Sequence, residues 1–306
     1  MNTLREDIEE YLAMRRALGF KLKTHGKFLN NFADFFDRKN AEVVTTQIAV
    51  EWAEQAASSH SRSQRLSYLR AFARYRSASD PRTEIPPDNL YPYRPKRAKP
   101  YIYSDDDVKE LLDVACKLPN PFRAETYRTL LGLLAVTGLR IGEALGLQLR
   151  NVDLIEGILI VEATKYSRSR ILPLHDSTRK ELLAYSKCRA EFLKGKSAPH
   201  FFISLTGNQL DKAMVHRTFY ALSQQTGLRK AGAKTGPRIH DFRHSFAVKN
   251  MLKWYRCGAN VEQRLPVLSA YLGHVHVSDT YWYLTGVPEL MDLGVNLLAR
   301  RWEEEP

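Results

Sequence analysis

The second half of the chain carries basic residues and a tyrosine whose types suit chemistry on a phosphate group. Arg140 stands at the predicted start of a helix, where free backbone N–H groups and a guanidinium together bind anions well. His240 and Arg243 are three residues apart, so a proton-transfer group and a fixed cation share one helical face. His274 and Tyr283 follow further along. Taken singly, each residue is more typical of a surface ion pair or a packed core, so the fold must bring them together.

Helix-ending signals lie beside these residues and predict how they are positioned. Gly138 is expected to end a helix around residues 127–136 in the left-handed conformation, and a new helix begins directly afterwards. A further helix is predicted to begin at Arg238, just after a proline. Gly273 ends another helix and presents the next residue, His274, on a loop.

One β interruption is predicted in an otherwise helical second half. Residues 157–163 and 170–174 are β-branched and apolar, and the polar residues 164–169 between them indicate a hairpin turn.

Upstream, Ser104 and the three aspartates after it suggest either a carboxylate cluster for a metal or a helix start. The helix start is the better interpretation, because serine is a preferred N-cap and acidic residues suit the first turn. No metal site is therefore predicted.

Residues 4–78 predict four short helices, since their apolar residues recur at helical spacing. The last of these, over about 61–76, is expected to bury Leu66, Leu69 and Phe72. The arginines of that helix are expected on its remaining surface: Arg62, Arg65, Arg70, Arg74 and Arg76. Such a face is equally typical of a DNA-binding helix and of an ordinary solvated one.

Residues 80–100 contain six prolines and several basic residues, which excludes a helix or a central strand. We expect a linker over 81–102 between an N-terminal helical DNA-binding domain, 1–80, and a C-terminal domain, 103–306. A basic linker can follow a phosphate backbone. The residues predicted to contact DNA are Arg62, Arg65, Arg94, Lys96, Arg97 and Lys99.

The charge and the cysteine content of the chain indicate which partners and which cellular compartment to expect. Its 306 residues include 46 Lys and Arg against 34 Asp and Glu, a formal net charge of +12. That excess predicts a polyanionic partner, nucleic acid first, and the alternative is a well-solvated basic surface. The three cysteines are far apart and form neither a disulfide pattern nor a zinc cluster. Because the sequence has a charged N-terminus and no apolar run of membrane-spanning length, we expect a cytoplasmic protein without a membrane partner.

Four segments of the second half resemble the successive signature boxes of the tyrosine recombinase, or phage integrase, family. They are TGLRIGEAL (137–145), TKYSRSRILPL (164–174), HDFRHSFA (240–247) and LGHVHVSDTYWY (272–283). They occur in the family's order across almost the whole second domain. The resemblance implies a mainly α fold, with an N-terminal four-helix core-binding (SAM-like) domain and a C-terminal mixed α+β catalytic domain that contains a small β-hairpin or sheet.

Residue by residue, the resemblance implies a catalytic set of Arg140, Lys165, His240, Arg243, His274 and Tyr283. Lys165 then lies in the hairpin turn, and Glu143 matches an acidic position that supports the site structurally. Tyr281 lies close enough to compete as the nucleophile, but the spacing from the Leu-Gly-His box favours Tyr283. Residues 254–271 form a longer stretch than in the compact Xer-type recombinases, which leaves the subfamily open.

The resemblance also implies the reaction and its partners. The tyrosine attacks a DNA phosphodiester, releases a 5′ hydroxyl and forms a 3′-phosphotyrosyl bond, without a metal ion, ATP or other cofactor. The expected partners are double-stranded DNA with inverted-repeat-like core sites and further copies of the chain, as a tetramer on two duplexes. Two alternatives stand beside this one: a type IB topoisomerase-like enzyme and a catalytically silent DNA-binding protein. The element served, whether phage, transposon, integron or chromosome-dimer system, is left open.

The segment after the proposed nucleophile predicts a helix that begins at Pro288. Its apolar stripe consists of Leu290, Leu293, Leu297 and Leu298. Such a stripe packs either on its own domain or on a neighbouring protomer, as the C-terminal segments of similar recombinases do. We hypothesise that residues 288–302 dock in trans once DNA is bound.

Overall fold

The computed structural model describes residues 3–92, 99–162, 169–233, 235–285 and 288–304, and for 284, 285 and 297–304 the backbone alone. The chain divides into two compact units, residues 1–98 and 99–306. Within the described residues, no helix combines the length and the apolar composition needed to cross a lipid bilayer.

The first unit is a bundle of four helices, which confirms the number predicted. They are α1 (Leu4–Ala17), α2 (Lys23–Arg38), α3 (Thr46–Glu54) and α4 (Ser59–Arg76). Their apolar faces meet in one core, where the ring of Phe32 lies edge-on to that of Trp52 with 5.1 Å between centroids. Leu66, Leu69 and Phe72 of α4 are buried in the same core, as the helical spacing predicts.

Two of the α4 arginines predicted to contact DNA hold the backbone at the end of α3. Arg65 donates a hydrogen bond to the carbonyl of Trp52 at 2.7 Å, and Arg62 donates to that of Ala56 at 3.0 Å. Carbonyls at a helix end lack helical donors, so cationic side chains often satisfy them. Both arginines are half-buried, and DNA contact by either one stays a prediction.

Arg76 corrects the expectation that all five α4 arginines lie on the surface. Only 3% of Arg76 is exposed, and its guanidinium pairs with Asp7 of α1 at 2.8 Å. Asp80, also buried, lies 3.7 Å away on the other side. Two counter-charges, the partly buried Asp7 and the buried Asp80, therefore stabilise this arginine inside the bundle, whereas Arg74 on the same helix is exposed.

The first half of the proline-rich segment packs against helices α3 and α4 of the first unit. Arg70 donates to the carbonyls of Pro86 and Pro87, both at 2.7 Å, and the hydroxyl of Tyr91 donates to Glu54 at 2.9 Å. Three of the residues predicted to contact DNA lie outside the described residues: Arg94, Lys96 and Arg97. Lys99, the fourth residue of this segment that was predicted to contact DNA, is exposed at the start of the second unit.

The second unit is mainly helical and includes a small sheet. Its helices are α5 (Asp105–Ala115), α6 (Pro121–Thr137), α7 (Ile141–Gly146), α8 (Asp176–Leu193), α9 (Lys212–Gln225), α10 (Asp241–Arg256), α11 (Val261–Leu272), α12 (Ser278–Thr285) and α13 (Pro288–Glu304). Its strands are β1 (Val152–Asp153), β2 (Ile158–Val161) and β3 (Arg170–Pro173). This mixture agrees with the fold class that the family resemblance implies.

The sheet is antiparallel in the order β1-β2-β3, and strands β2 and β3 confirm the predicted hairpin. Leu159 lies opposite Leu172 across the two strands, and both are buried, whereas Ile171 faces outwards. The turn of the hairpin, residues 163–168, lies outside the described residues. Strand β1 was not predicted, because two residues are too few to show an alternating pattern.

The predicted helix starts are right at α5 and wrong at α10. Ser104 caps α5, with its hydroxyl accepting from the N–H of Asp107 at 3.0 Å, as expected. Helix α10 begins at Asp241, three residues later than the predicted start at Arg238. The reason is that the Asp241 carboxylate binds both the backbone N–H and the guanidinium of Arg238, which turns the preceding residues into a cap.

Gly138 ends α6 in the left-handed conformation, with φ of 63°, as predicted. A Cβ built at this position would lie 2.8 Å from the ring of Phe246 in α10 and 3.2 Å from a methyl of Leu272 in α11. The chain therefore passes close to both helices just before Arg140, which places that residue beside them.

Gly138→Ala should lower the free energy of unfolding of the second unit by roughly 2–4 kcal/mol, because alanine is strained at positive φ and its Cβ would overlap Phe246. Gly132→Ala is the matched control, since Gly132 lies inside α6 and an added Cβ would meet only Leu112 at 3.9 Å. Helix propensity should stabilise that variant by up to about 1 kcal/mol. Urea unfolding followed by circular dichroism measures both, and equal stability of the two variants would contradict the close approach.

Candidate active site

Six of the seven residues assigned to the site lie on described parts of the second unit. Their positions are the start of α7 (Arg140, Glu143), the start of α10 (His240, Arg243), the residue that follows the α11 cap (His274) and α12 (Tyr283). The seventh, Lys165, lies outside the described residues. The structure brings the six together around the C-terminal end of α11.

Three consecutive carbonyls at the end of α11 each accept a hydrogen bond from a different arginine. The pairs are Arg170 Nε to Tyr271 O at 2.7 Å, Arg243 Nη2 to Leu272 O at 2.6 Å and Arg140 Nη2 to Gly273 O at 3.3 Å. The last carbonyls of a helix lack helical donors and carry the negative end of its dipole, so they attract cations. This helix end therefore gathers three positive charges that would otherwise repel one another.

Glu143 is the buried counter-charge of this cluster. Its carboxylate accepts from the Arg140 guanidinium at 2.9 Å, from the Arg140 backbone N–H at 3.0 Å and from Arg170 at 2.8 Å. Burial favours a higher pKa for Glu143, but the hydrogen bonds and charges of the two arginines outweigh it, so the pKa lies below its usual value. Glu143 is thus ionised at neutral pH and holds both cations in place.

Arg140 and Arg243 differ in their access to solvent. The Arg140 side chain is 38% exposed, whereas Arg243 is almost fully buried and also donates to the carbonyl of Gly138 at 3.0 Å. Burial, with the charge of Arg140, lowers the pKa of Arg243 to about 10, and the neighbouring Tyr283 and Glu143 oppose that shift. Both guanidiniums remain charged at neutral pH, so the site carries fixed cations.

His274 is oriented by a buried threonine. Its Nδ1 lies 2.8 Å from the hydroxyl of Thr280, which is fully buried in α12. Burial, followed by the charges of Arg243 and Arg140, lowers the pKa of His274 to about 4. The ring is therefore neutral at physiological pH, and with Nδ1 engaged, Nε2 is the nitrogen left for a substrate.

The two neighbouring tyrosines of α12 have different surroundings. Tyr283 is 5% exposed, and its ring stacks on that of His274 with 5.9 Å between centroids. Tyr281, two residues earlier, is 51% exposed. Because residues two apart on a helix point in different directions, only Tyr283 faces the arginines and histidines of the site.

His244 is a site residue that the sequence analysis missed. It is buried, its ring lies 4.9 Å from that of His240 and 5.1 Å from that of Tyr283, and its Nδ1 has no hydrogen-bond partner among the described residues. Burial first, and then the nearby His240, lowers its pKa to about 4. Burial and the charge of Arg243 also lower the pKa of His240.

The missed residues carried weak signals. His244 stands one turn after His240 in the box HDFRHSFA, and that spacing alone places both rings on one helical face. Arg170 opens β3, and nothing in a strand pattern distinguishes a buried arginine from a solvated one. Over the described part of the chain, no group of three or more histidines, cysteines, aspartates or glutamates is placed to hold a metal ion.

A family model described as the phage integrase family matches residues 102–287. The chain belongs to the phage integrase family. The predicted family is thereby confirmed, and the matched range of this integrase-family chain includes every residue assigned to the site.

Named relatives extend the comparison to the whole integrase-family chain. The integrase/recombinase y4rB of Sinorhizobium fredii is 48% identical over 313 residues, which cover 99% of each chain. The tyrosine recombinase XerC of Azotobacter vinelandii is 31% identical over 229 residues, 75% of this chain and 70% of that one. Among solved structures, the Tn1549 transposon integrase in complex with transposon right end DNA has a TM-score of 0.71 at 17% identity, over 98% of this chain and 99% of that one. The last similarity confirms the predicted fold class.

The lowered histidine pKa values predict a loss of stability in mild acid. His244 and His274 keep pKa values of about 4 in the folded integrase-family chain, whereas an unfolded histidine takes up its proton near pH 6.5. As the pH falls from about 6.5 towards 4, the unfolded chain binds protons that the folded chain does not, so the free energy of unfolding falls. Above pH 6.5 this contribution is constant.

Urea unfolding at about pH 7.5 and about pH 5 measures the effect, with His244→Leu as the comparison. The variant lacks one shifted histidine, so its stability should fall less between the two pH values than that of the wild type. Taking the difference within each protein removes the direct cost of the substitution and the titration of shared carboxylates. An unchanged difference in His244→Leu would mean that His244 titrates normally in the folded chain.

Proposed function

We propose that this chain is a site-specific DNA recombinase that cleaves and rejoins double-stranded DNA with Tyr283 as the nucleophile. The observation that carries the proposal is the convergence of Arg140, Arg243, His274 and Tyr283 at one helix end. Relatives named as an integrase/recombinase and a tyrosine recombinase support the same reaction. The topoisomerase-like and catalytically silent alternatives have no comparable support.

The proposed step exchanges one phosphoester bond for another. The Tyr283 oxygen bonds to the phosphorus, the bond from phosphorus to the 5′ oxygen breaks, and a 3′-phosphotyrosyl link remains. Rejoining is the reverse reaction, with a 5′ hydroxyl as the attacking group. Because the intermediate conserves the phosphodiester, the cycle requires neither ATP nor another cofactor.

Cations already in place lower the barrier to this transfer. Negative charge grows on the non-bridging phosphate oxygens, and preorganised donors stabilise it. Arg140 is the more exposed of the two arginines and is best placed to bind the phosphate directly. Each guanidinium has five N–H donors, so its bonds to carbonyls leave donors for the substrate. His274 adds Nε2 as a neutral donor or acceptor.

Two proton transfers complete the step. The tyrosine has an ordinary pKa of about 10 in water, so its proton must pass to a base during attack. We propose His240 as that base, since its lowered pKa keeps it neutral. The ring of His244 contacts both the ring of His240 and that of Tyr283, so the three side chains form one continuous group. Lys165 is proposed as the acid that protonates the leaving 5′ oxygen.

The proposed substrate is DNA with inverted-repeat-like core sites, bound by a tetramer on two duplexes. The net charge of +12 supports an extended phosphate contact. Leu290 of α13 belongs to the same apolar cluster of its own unit as Val248 and Met251 of α10, so trans docking of residues 288–302 stays a prediction for the DNA-bound state. Sedimentation of the DNA complex gives the number of protomers and tests the tetramer.

The proposed location is the cytoplasm, because three free cysteines favour a reducing compartment.

Tyr283→Phe should abolish covalent capture of a nicked DNA substrate, because phenylalanine lacks the attacking oxygen. The substrate carries the chain's own site, found by sequencing DNA that is covalently bound to it in cells. A nick beside the cleavage point lets the short 5′-hydroxyl fragment leave, so the adduct accumulates. Denaturing gels with labelled DNA detect it.

Tyr281→Phe is the matched control and should form the adduct at the wild-type rate. The wild type and Tyr281→Phe are also assayed with EDTA, where their cleavage should continue undiminished because the proposed cations are side chains. Adduct formation by Tyr283→Phe, or its loss in Tyr281→Phe alone, would overturn the assignment of the nucleophile.

Lys165→Ala should slow cleavage by about 10²–10⁴-fold on ordinary DNA, the usual contribution of a general acid. A substrate with sulfur in place of the bridging 5′ oxygen should restore most of the rate, since a thiol of pKa about 8.5 leaves without a proton. Arg140→Ala is the control. Sulfur should not restore the cleavage rate of this variant, because the proposed role of Arg140 is to stabilise the negative charge on the non-bridging phosphate oxygens. Equal slowing of Lys165→Ala on both substrates would exclude Lys165 as the acid.

A further inference from the structure

Arg170 occupies the centre of the site, yet the proposed chemistry does not use it. It is the first residue of β3, and its side chain is largely buried between Glu143 and the end of α11. All of its nitrogens are engaged: Nε with Tyr271 O at 2.7 Å, Nη1 with Glu143 Oε1 at 3.2 Å and Nη2 with Glu143 Oε2 at 2.8 Å. A cation so fully bound to the protein has few donors left for DNA.

The bidentate contact between Arg170 and Glu143 determines the orientation in which the Glu143 carboxylate binds Arg140. A guanidinium that binds both carboxylate oxygens fixes the plane of the group as well as its distance. Oε1 is then shared between Arg170 and the Arg140 guanidinium, and Oε2 between Arg170 and the Arg140 backbone N–H. Removing Arg170 would leave Glu143 buried with one cation and free to rotate, and Arg140 would lose its fixed direction.

The contact with α11 determines where His274 stands. Arg170 binds the carbonyl three residues before His274, and its guanidinium lies directly on the backbone of Gly273. A Cβ at Gly273 would lie 2.8 Å from Arg170 Nη1, and the residue has φ of 68°. The turn that carries His274 is therefore held from one side by Arg170 and requires glycine.

The strand that contains Arg170 also leads from the turn that contains Lys165, five residues earlier. Arg170 thus connects the hairpin to the C-terminal end of α11, around which the other described site residues lie. Backbone pairing of β2 with β3 holds the hairpin together, but it does not attach it to α11. The side-chain bonds of Arg170 provide that attachment.

We propose that Arg170 is a positioning residue for DNA cleavage, which aligns Arg140 through Glu143 and holds the His274 turn and the hairpin in register with it. The inference rests on the proposed function, since it concerns the rate of the same phosphoryl transfer. The hydrogen bonds of Arg170 go to Tyr271 and Glu143 and not to Tyr283, so it acts through Arg140 and the His274 turn, and its removal should affect the cleavage step far more than DNA binding.

The test compares Arg170→Met with Arg128→Met in the full-length protein. Arg128 is a suitable control because it also joins two elements through carboxylates, pairing with Glu125 in α6 and Glu181 in α8, away from the site. Single-turnover cleavage of the nicked substrate is measured at saturating protein, beside the Kd for a half-site and the melting temperature. Arg170→Met should cleave up to about 100-fold more slowly, the effect expected of a displacement near 1 Å, with Kd changed less than about threefold. Arg128→Met should lose stability but keep the wild-type cleavage rate.

Two further variants separate alignment from folding. Arg170→Lys keeps the charge but lacks the two-pronged fork, so it should fold and still cleave slowly. Glu143→Gln should slow cleavage, and combining it with Arg170→Met should add little, because both act on Arg140 through one contact. Wild-type cleavage by Arg170→Lys, a fully multiplicative double variant, or equal slowing in Arg128→Met would each overturn the proposal. Absence of any Tyr283-dependent adduct in the wild type would instead overturn the proposed function.

Discussion

The site depends on the ability of one helix end to hold three guanidiniums side by side. Two unit charges 4 Å apart near a protein surface repel by roughly 4 kcal/mol, so a cluster of arginines does not assemble without compensation. Here the compensation comes from the carbonyls of Tyr271, Leu272 and Gly273 and from the Glu143 carboxylate. The positive field is therefore complete before DNA arrives, and a phosphate enters a site whose reorganisation has already taken place during folding.

The same field explains the state of the histidines. Burial and neighbouring arginines both act against the imidazolium, so the pKa values of His240 and His274 are lowered and the neutral rings are favoured. In the proposed reaction, one arrangement of charge thus has two effects: it stabilises the phosphate and keeps His240 able to accept a proton. A site that relied on imidazolium cations would lose the acceptor, which is a physical reason for using arginine as the permanent cation.

Features set by adjacent residues could be predicted from the sequence, whereas features that depend on contacts between distant residues could not. Ser104 and Gly138 were assigned correctly because a cap is a property of a few adjacent residues. Arg76 was misplaced because its burial depends on Asp7, sixty-nine residues earlier, which no periodicity reveals. For the site, matching boxes supplied the residue types and their order. The boxes do not show which contacts hold these residues in place. Arg170 lies in one of the boxes, but its contacts with Glu143 and Tyr271 could not be predicted from it.

Tyr283 lies in the same apolar cluster as Leu290, the third residue of α13. Tyr283 and α13 therefore belong to one packed cluster, and a displacement of α13 would alter the surroundings of Tyr283. A ligand that bound one position of α13 better than another would shift that helix by no more than the difference in its affinity for the two positions, and the surroundings of Tyr283 would shift with it. A ligand with no preference between the two positions of α13 would leave the tyrosine unaffected, however tightly it bound. If Tyr283 is the nucleophile, as proposed, its reactivity is therefore coupled to the position of α13.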